Sequence, residues 1–236
     1  MLHNNIIAFI VTFLLSVIWL RFVGFAASRG WIGANISRKV IHIGTGPLFV
    51  ICWLLFDEQP GARYLAVIVP LASTLQFALA GLGLIRDKQS VQSMSRTGYK
   101  EELLKGPLFY GLAFIVITLI YWKTSPIGMT ALMILCGGDG LADIFGKKFG
   151  KRKVFWSKEK TWFGSLAMLF GGFTLSLAIT ALFDYSGVYN IQFAMFIPKL
   201  IIISLVSTLI ESMSKSDLDN ITVPIAAVLI GILVNL

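Results

Sequence analysis

The stretch "NIIAFIVTFLLSVIWLRFVGF", residues 5–25, contains a single charged residue, Arg21. As a helix it would rise about 30 Å at 1.5 Å per residue, the thickness of a bilayer's hydrocarbon core. Lipid offers the backbone no hydrogen bonds, so a spanning segment is either a helix or part of a closed barrel. The apolar run is continuous, without the alternation a barrel strand shows, and this selects the helix. It lacks a basic leader and is long for a signal peptide, so it is expected to stay uncleaved.

Similar runs recur at about 40–56, 63–85, 107–122, 127–145, 162–183, 193–210 and 221–236. The chain of 236 residues is 56% hydrophobic and only 14% charged, with a mean hydropathy of +0.81. A soluble domain carries roughly 25% charged residues. The expected fold is therefore all-α: a polytopic integral membrane protein of about eight transmembrane helices, forming one helical domain over 1–236. Neither a low-complexity tract nor an internal repeat interrupts it. Cys52 and Cys136 lie in different spans, outside any CxxC or Cys/His cluster, so they read as packing residues.

The net charge of +8 is unevenly distributed. Loop one and its helix edges carry Arg21, Arg29, Arg38 and Lys39, and loop three carries Arg86, Lys88, Arg96, Lys100 and Lys105. Loop five is denser still, from Lys147 to Lys160, and loop seven has Lys215. Arg63, Lys123 and Lys199 alone fall on the other side. The positive-inside rule then places the odd loops in the cytoplasm and both termini outside. Attraction to anionic headgroups accounts for much of this charge, and no nucleic-acid partner is expected. The sequence does not specify an oligomeric state.

Acids near membrane depth need a separate explanation. With a helix starting near Ile127, Asp139 lies about 18 Å along it and Asp143 about 6 Å further. At i and i+4 the two side chains share a face. An ionised carboxylate at such depth costs several kcal/mol unless paired, hydrated or bound to a cation. An ion pair with a nearby Lys or Arg would satisfy it. So would Mg²⁺, which takes a few hard oxygen ligands and completes its octahedron with phosphate oxygens and waters. Gly137, Gly138 and Gly140 bracket Asp139. They suit either close helix packing or a bare backbone that a ligand can approach.

Other polar clusters are expected on the same side. Lys158, Lys160 and Thr161 precede the sixth span, with Gly164 and Ser165 inside its first turn. A helix start facing the cytosol is an anion site, and Thr161 is also an ordinary N-cap. Arg38, Lys39 and His42 open the second span, where His42 could serve as a general base. Glu101, Glu102 and Lys105 precede the fourth span, as an interfacial segment would. Glu211 ends the seventh span, and Asp219 and Asn220 precede the eighth, like the wall of a site. Acids able to hold Mg²⁺, a phosphate-sized basic set and a candidate base suit a phosphorylated substrate reacting with a lipid. Phosphoryl transfer needs mainly positioning and charge neutralisation.

Five segments, "RKVIHIGTG" (38–46), "KEELLKGPLFY" (100–110), "CGGDGLADIFGKKFG" (136–150), "KTWFGSLAMLFGGF" (160–173) and "ESMSKSDLDNITVP" (211–224), occur in this order. Together they resemble the phytol kinase/dolichol kinase family of CTP-dependent polyprenol kinases, and the short chain favours the phytol kinase branch. The resemblance implies transfer of the γ-phosphoryl group of CTP to a membrane isoprenoid alcohol, with Mg²⁺. It places Asp139 and Asp143 in the metal and catalytic motif, with Gly138, Gly140 and Lys147 beside the phosphates. Lys160, Thr161, Gly164 and Ser165 fall in a second block; Arg38, Lys39 and His42 in the first; Glu211, Asp219 and Asn220 in the last. Lys105 joins the phosphate set and Glu102 the site wall. Met213 and Leu218 depart from the family's usual proline and doubled acid.

Three other readings compete. A cytidylyltransferase of the phosphatidate type would join CTP to a lipid through the α-phosphorus. A CTP-dependent diacylglycerol kinase would differ only in the acceptor. A secondary transporter would place its acids near the midplane, usually between inverted repeats.

Overall fold

Local start and stop signals bound several of the apolar runs. The computed structural model describes residues 4–236. In chain order the helices are α1 (Asn5–Ser28), α2 (Ala34–Cys52), α3 (Ala62–Leu82), α4 (Lys88–Met94), α5 (Gly106–Ile120), α6 (Pro126–Met133), α7 (Gly140–Phe149), α8 (Trp162–Tyr185), α9 (Phe193–Met213) and α10 (Asp219–Leu233). A π-helical stretch, Ile134–Asp139, joins α6 to α7. Asn4 caps α1 by accepting from the Ile6 amide at 2.8 Å. Ser125 caps α6, with Pro126 in the first turn, where its missing N–H is not needed. α3 stops at Gly83, whose φ of +79° is the left-handed conformation that closes many helices. Among the described residues there is no strand, only an isolated antiparallel bridge between Lys153 and Thr161.

Among the described residues, seven helical stretches are long and apolar enough to cross a bilayer: α1, Ile36–Leu55, α3, Lys100–Ile120, Pro126–Phe149, α8 and α9. The protein is thus a polytopic all-α membrane protein, as expected. The eighth expected span is α10, which has 15 residues. At 1.5 Å per residue it is about 22 Å long, shorter than the hydrocarbon core. Loop three is also more structured than a connection, holding α4 and a 3₁₀ turn at Lys100–Leu104. Pro126–Phe149 is the most enclosed span, with 78% of its apolar window buried against 22% for α1. On α1, Ile6, Leu14, Ile18 and Phe22 are exposed, as side chains facing lipid would be.

The backbone gathers into two compact units that divide between Leu119 and Ile120. In the first, α1 packs on α2, α3 and α4. Its core joins Val23, Ile41, Phe77, Ala80, Met94 and Leu103. Asp87 caps α4, accepting from the Ser90 amide at 2.9 Å and from Gln76 Nε2 at 2.6 Å. Burial pushes the Asp87 carboxyl up, but hydrogen bonds from Ser90 and Gln76 and the charge of Arg21 outweigh it and hold the group below its usual range.

In the second unit the π stretch and α7 pack on α8, α9 packs on α8 and α10, and α10 packs on α6. Glycine sets the closest of these approaches. A Cβ at Gly137 would sit 2.6 Å from the Gly171 carbonyl oxygen, and one at Gly171 would sit 2.5 Å from the Gly137 oxygen. At Gly138 a Cβ would meet Met168 Sδ at 2.5 Å. Of the two uses the sequence left open for these glycines, Gly137 and Gly138 serve helix packing.

Candidate active site

Three carboxylates from three elements meet in the second unit. Asp139 ends the π stretch, Glu211 sits in the last turn of α9, and Asp219 begins α10. They are 3%, 2% and 5% exposed. One carboxylate oxygen from each lies within 4.8 Å of the other two. Such a grouping inside a protein calls for cations.

Lys160 supplies one of them. Its Nζ donates to Glu211 Oε1 and, at 3.0 Å, to Asp219 Oδ2. Burial works against the ammonium, but the Asp219, Glu211 and Asp139 carboxylates outweigh it and raise its pKa well above the ordinary lysine range. The backbone of Lys160 is held from both sides. The Val154 amide donates to its carbonyl at 3.1 Å, and its own amide donates to Ser157 Oγ at 3.2 Å. The Trp162 amide donates to the Arg152 carbonyl at 3.1 Å, so residues 152–162 form a short hairpin. Trp156 Nε1 ties that hairpin to α9, donating to Ser212 Oγ at 3.0 Å, one residue from Glu211.

Asn220 completes the cluster. Its Nδ2 donates to Asp219 Oδ1 at 3.3 Å and to the Asp217 carbonyl at 3.2 Å. Asp217 adopts a φ of +75°, a left-handed conformation rare for a non-glycine residue, just before α10 begins. The Asn220 Oδ1 is buried without a hydrogen-bond partner. Three hard carboxylate oxygens, with an unsatisfied buried amide oxygen on the residue next to Asp219, form a donor set that suits Mg²⁺ or another oxygen-seeking divalent cation.

Asp143 lies outside this carboxylate group. Its Oδ2 accepts from Lys147 Nζ at 2.9 Å, an i,i+4 pair whose side chains are 28% and 57% exposed respectively. The sequence paired Asp139 with Asp143 as metal ligands and read Glu211, Asp219 and Asn220 as a wall. The structure instead groups Asp139 with Glu211 and Asp219, because helix packing brings oxygens from α9 and α10 to the end of the π stretch.

The remaining residues of the second block are close by in sequence. Thr161 caps α8, accepting from the Gly164 amide at 3.1 Å. Gly164 lies against α7, where a Cβ would stand 3.1 Å from the Ala142 carbonyl oxygen. Ser165 Oγ is buried without a hydrogen-bond partner. Gly140 is the buried first residue of α7. Ser212 and Trp156 went unread in the sequence. A serine beside a membrane-end glutamate and a tryptophan among lysines each look ordinary until the two are seen to bond.

In the first unit Arg38, Lys39 and His42 are all buried on α2. The His42 ring lies 4.2 Å from that of Tyr110, whose hydroxyl donates to the His42 carbonyl at 2.8 Å. Arg38 acts electrostatically on Glu102. Glu102 accepts from the Arg96 amide and from the Thr97 amide and hydroxyl, shaping the turn before α5. Lys105 is exposed at the break between that 3₁₀ turn and α5.

No family profile matches the chain, and no solved structure matches it. Curated proteins do. A probable phytol kinase, chloroplastic, of Triticum aestivum is 38% identical over 207 residues, covering 87% of this chain and 69% of the relative. Phytol kinase 1, chloroplastic, of Arabidopsis thaliana is 40% identical over 203 residues, 85% of this chain and 67% of the relative. Farnesol kinase, chloroplastic, of the same plant is 37% identical over 232 residues, 98% of this chain and 75% of the relative. The chain belongs to the phytol kinase-like family of polyprenol kinases.

Proposed function

We propose that this protein transfers the γ-phosphoryl group of CTP to a membrane isoprenoid alcohol of the phytol, geranylgeraniol or polyprenol type. The names of its relatives supply the acceptor class, and the ordered sequence segments supply the donor. The observation that carries the reading is the buried grouping of Asp139, Glu211 and Asp219 with Lys160. Asp139, Glu211 and Asp219 would hold Mg²⁺, with Asn220 next to Asp219 in the chain. When bound, the ion neutralises charge on the phosphoryl oxygens of the donor.

The chain's own groups do the rest. Lys160 and Lys147 offer ammonium groups to the donor's phosphates. The first turn of α8 offers the positive end of a helix dipole. The hairpin at 152–162 fixes where these stand. The acceptor's chain stays in lipid while its hydroxyl approaches the reacting phosphorus, so positioning is the main contribution of the protein. On their sequence segments alone, Arg38, Lys39 and Lys105 are proposed as phosphate-binding residues, and His42 and Asp143 as candidates to accept the hydroxyl proton. We place the reaction at the Lys/Arg-rich face of the membrane, cytoplasmic by the positive-inside rule, with both termini opposite.

Membranes containing the protein, incubated with CTP labelled at either phosphorus and a panel of isoprenoid alcohols and diacylglycerol, test this directly. γ-Label in an isoprenoid phosphate is the expected result. α-Label in the lipid would replace the kinase reading with a cytidylyltransferase. γ-Label confined to diacylglycerol would overturn the acceptor.

A further inference from the structure

We infer that Lys160 and a divalent cation compete for the same carboxylates, so that loading the metal releases the lysine ammonium toward the donor's phosphates. The inference rests on the metal reading above and adds an exchange to it. Lys160 Nζ already binds Glu211 Oε1 and Asp219 Oδ2, two of the three carboxylates that would ligate the ion. A magnesium-sized ion takes such oxygens at about 2.1 Å. An ammonium kept at hydrogen-bonding distance from the same oxygens would then face a double positive charge at close range, and repulsion at that separation is severe inside a protein.

The surrounding contacts decide which part moves. The main chain of Lys160 is held at both ends, by Val154 N on its carbonyl and by Ser157 Oγ on its amide. Thr161, the next residue, caps α8. The hairpin is also tied to α9 through Trp156 and Ser212. Only the four-carbon side chain is therefore free to swing. It starts beside the first turn of α8, where Ser165 Oγ is buried without a hydrogen-bond partner. In the absence of metal, Lys160 keeps charge on the cluster compensated. With metal and donor present, the same ammonium becomes a phosphate contact. The metal is thus expected to bind tightly only together with the nucleotide that gives Lys160 somewhere to go.

Mn²⁺ binding to the purified protein in detergent, read by electron paramagnetic resonance without turnover, tests the exchange. Without nucleotide, Lys160→Met should bind Mn²⁺ at least about ten-fold more tightly than wild type, because the competing charge is gone. A non-hydrolysable CTP analogue should tighten Mn²⁺ binding in wild type much more than in the variant. Equal or weaker Mn²⁺ binding by Lys160→Met would overturn the exchange while leaving the metal site standing. Mn²⁺ binding that survives Asp139→Asn unchanged, or that is missing from wild type even with the analogue present, would overturn the metal reading itself. Acylation of lysines in the wild-type protein, mapped by mass spectrometry, needs no variant to fold. Without nucleotide, Mn²⁺ raised until the resonance signal shows the wild-type site loaded should increase labelling of Lys160 while Lys158 stays constant, and unchanged labelling of Lys160 at that loading would again overturn the exchange.

Discussion

Trp156 Nε1 donates to Ser212 Oγ across 3.0 Å, joining the hairpin that carries Lys160 to the helix that carries Glu211. Net hydrogen bonds of this kind contribute about 0.5–1.5 kcal/mol. Trp156→Phe and Ser212→Ala should each lower kcat by roughly 2- to 10-fold, the rate equivalent of that energy. The double variant should be no worse than the poorer single one, since both remove the same bond. Fully additive losses in a steady-state assay would show that the bond does not position Lys160.

The carboxylates should not be equivalent. Asp139→Asn, Glu211→Gln and Asp219→Asn each remove a negative charge from the buried group, and under the proposed metal role each should reduce turnover by at least about a hundred-fold. Asp143→Asn breaks an exposed pair with Lys147, an interaction worth about 0–1 kcal/mol, and should cost less than any of the three. A rate for Asp143→Asn below that of Asp219→Asn would restore Asp143 to the centre of the chemistry.

The contact between the π stretch and α8 should tolerate no added carbon. Gly137→Ala and Gly171→Ala each place a Cβ within 2.6 Å of a backbone oxygen. Overpacking of this sort costs about 1–3 kcal/mol. In a chain of this size that is a fall in Tm of roughly 2–4 °C per kcal/mol. Gly172→Ala meets Ile134 only at 3.4 Å and should melt near wild type. Thermal unfolding of the three variants in one detergent compares them directly.

Asp87 gives a pH signature in the first unit. Its folded pKa lies below the ordinary 3.8, so its stabilising effect is complete above that value and is lost as pH falls through the lower folded one. Asp87→Ala should destabilise α4 by about 0.5–1 kcal/mol at neutral pH, as loss of a partly exposed cap does. The gap in Tm between wild type and variant should close in acid. A gap independent of pH would mean that the side chain's volume matters rather than its charge.

The spans were legible because a continuous apolar run has one stable form in lipid. Seven of them read correctly from hydropathy alone. The eighth expected run, 221–236, falls on α10 but lies two to three residues late, because the apolar run shows neither the polar start at Asp219 nor the turn after Leu233. α4 was hidden in a polar stretch, "KQSVQSM", where its cap and its packing on α1 and α2 matter more than periodicity. At the site, Asp139 was legible because an acid so deep demands a partner. The i,i+4 rule sees only one helix, so it paired Asp139 with Asp143 and could not show the grouping with acids from elsewhere in the chain. Glu211 and Asp219 belong to two other helices and come together through a turn whose left-handed residue, Asp217, carries no sequence signature.

The π-helical stretch Ile134–Asp139 has a genetic consequence. A π turn closes its hydrogen bond over one residue more than an α turn does. That extra residue offsets the angular phase of everything before it from everything after it by about 100°. The α6 half of this span and the α7 half are therefore set to different clocks, joined at six residues. Removing any one residue between Ile134 and Gly138 would leave every acid and lysine of the site in the chain, yet would wind the helix back into a single phase. A one-codon deletion there should thus silence the protein as completely as the loss of Asp139, while a substitution scan of the same residues would miss the reason.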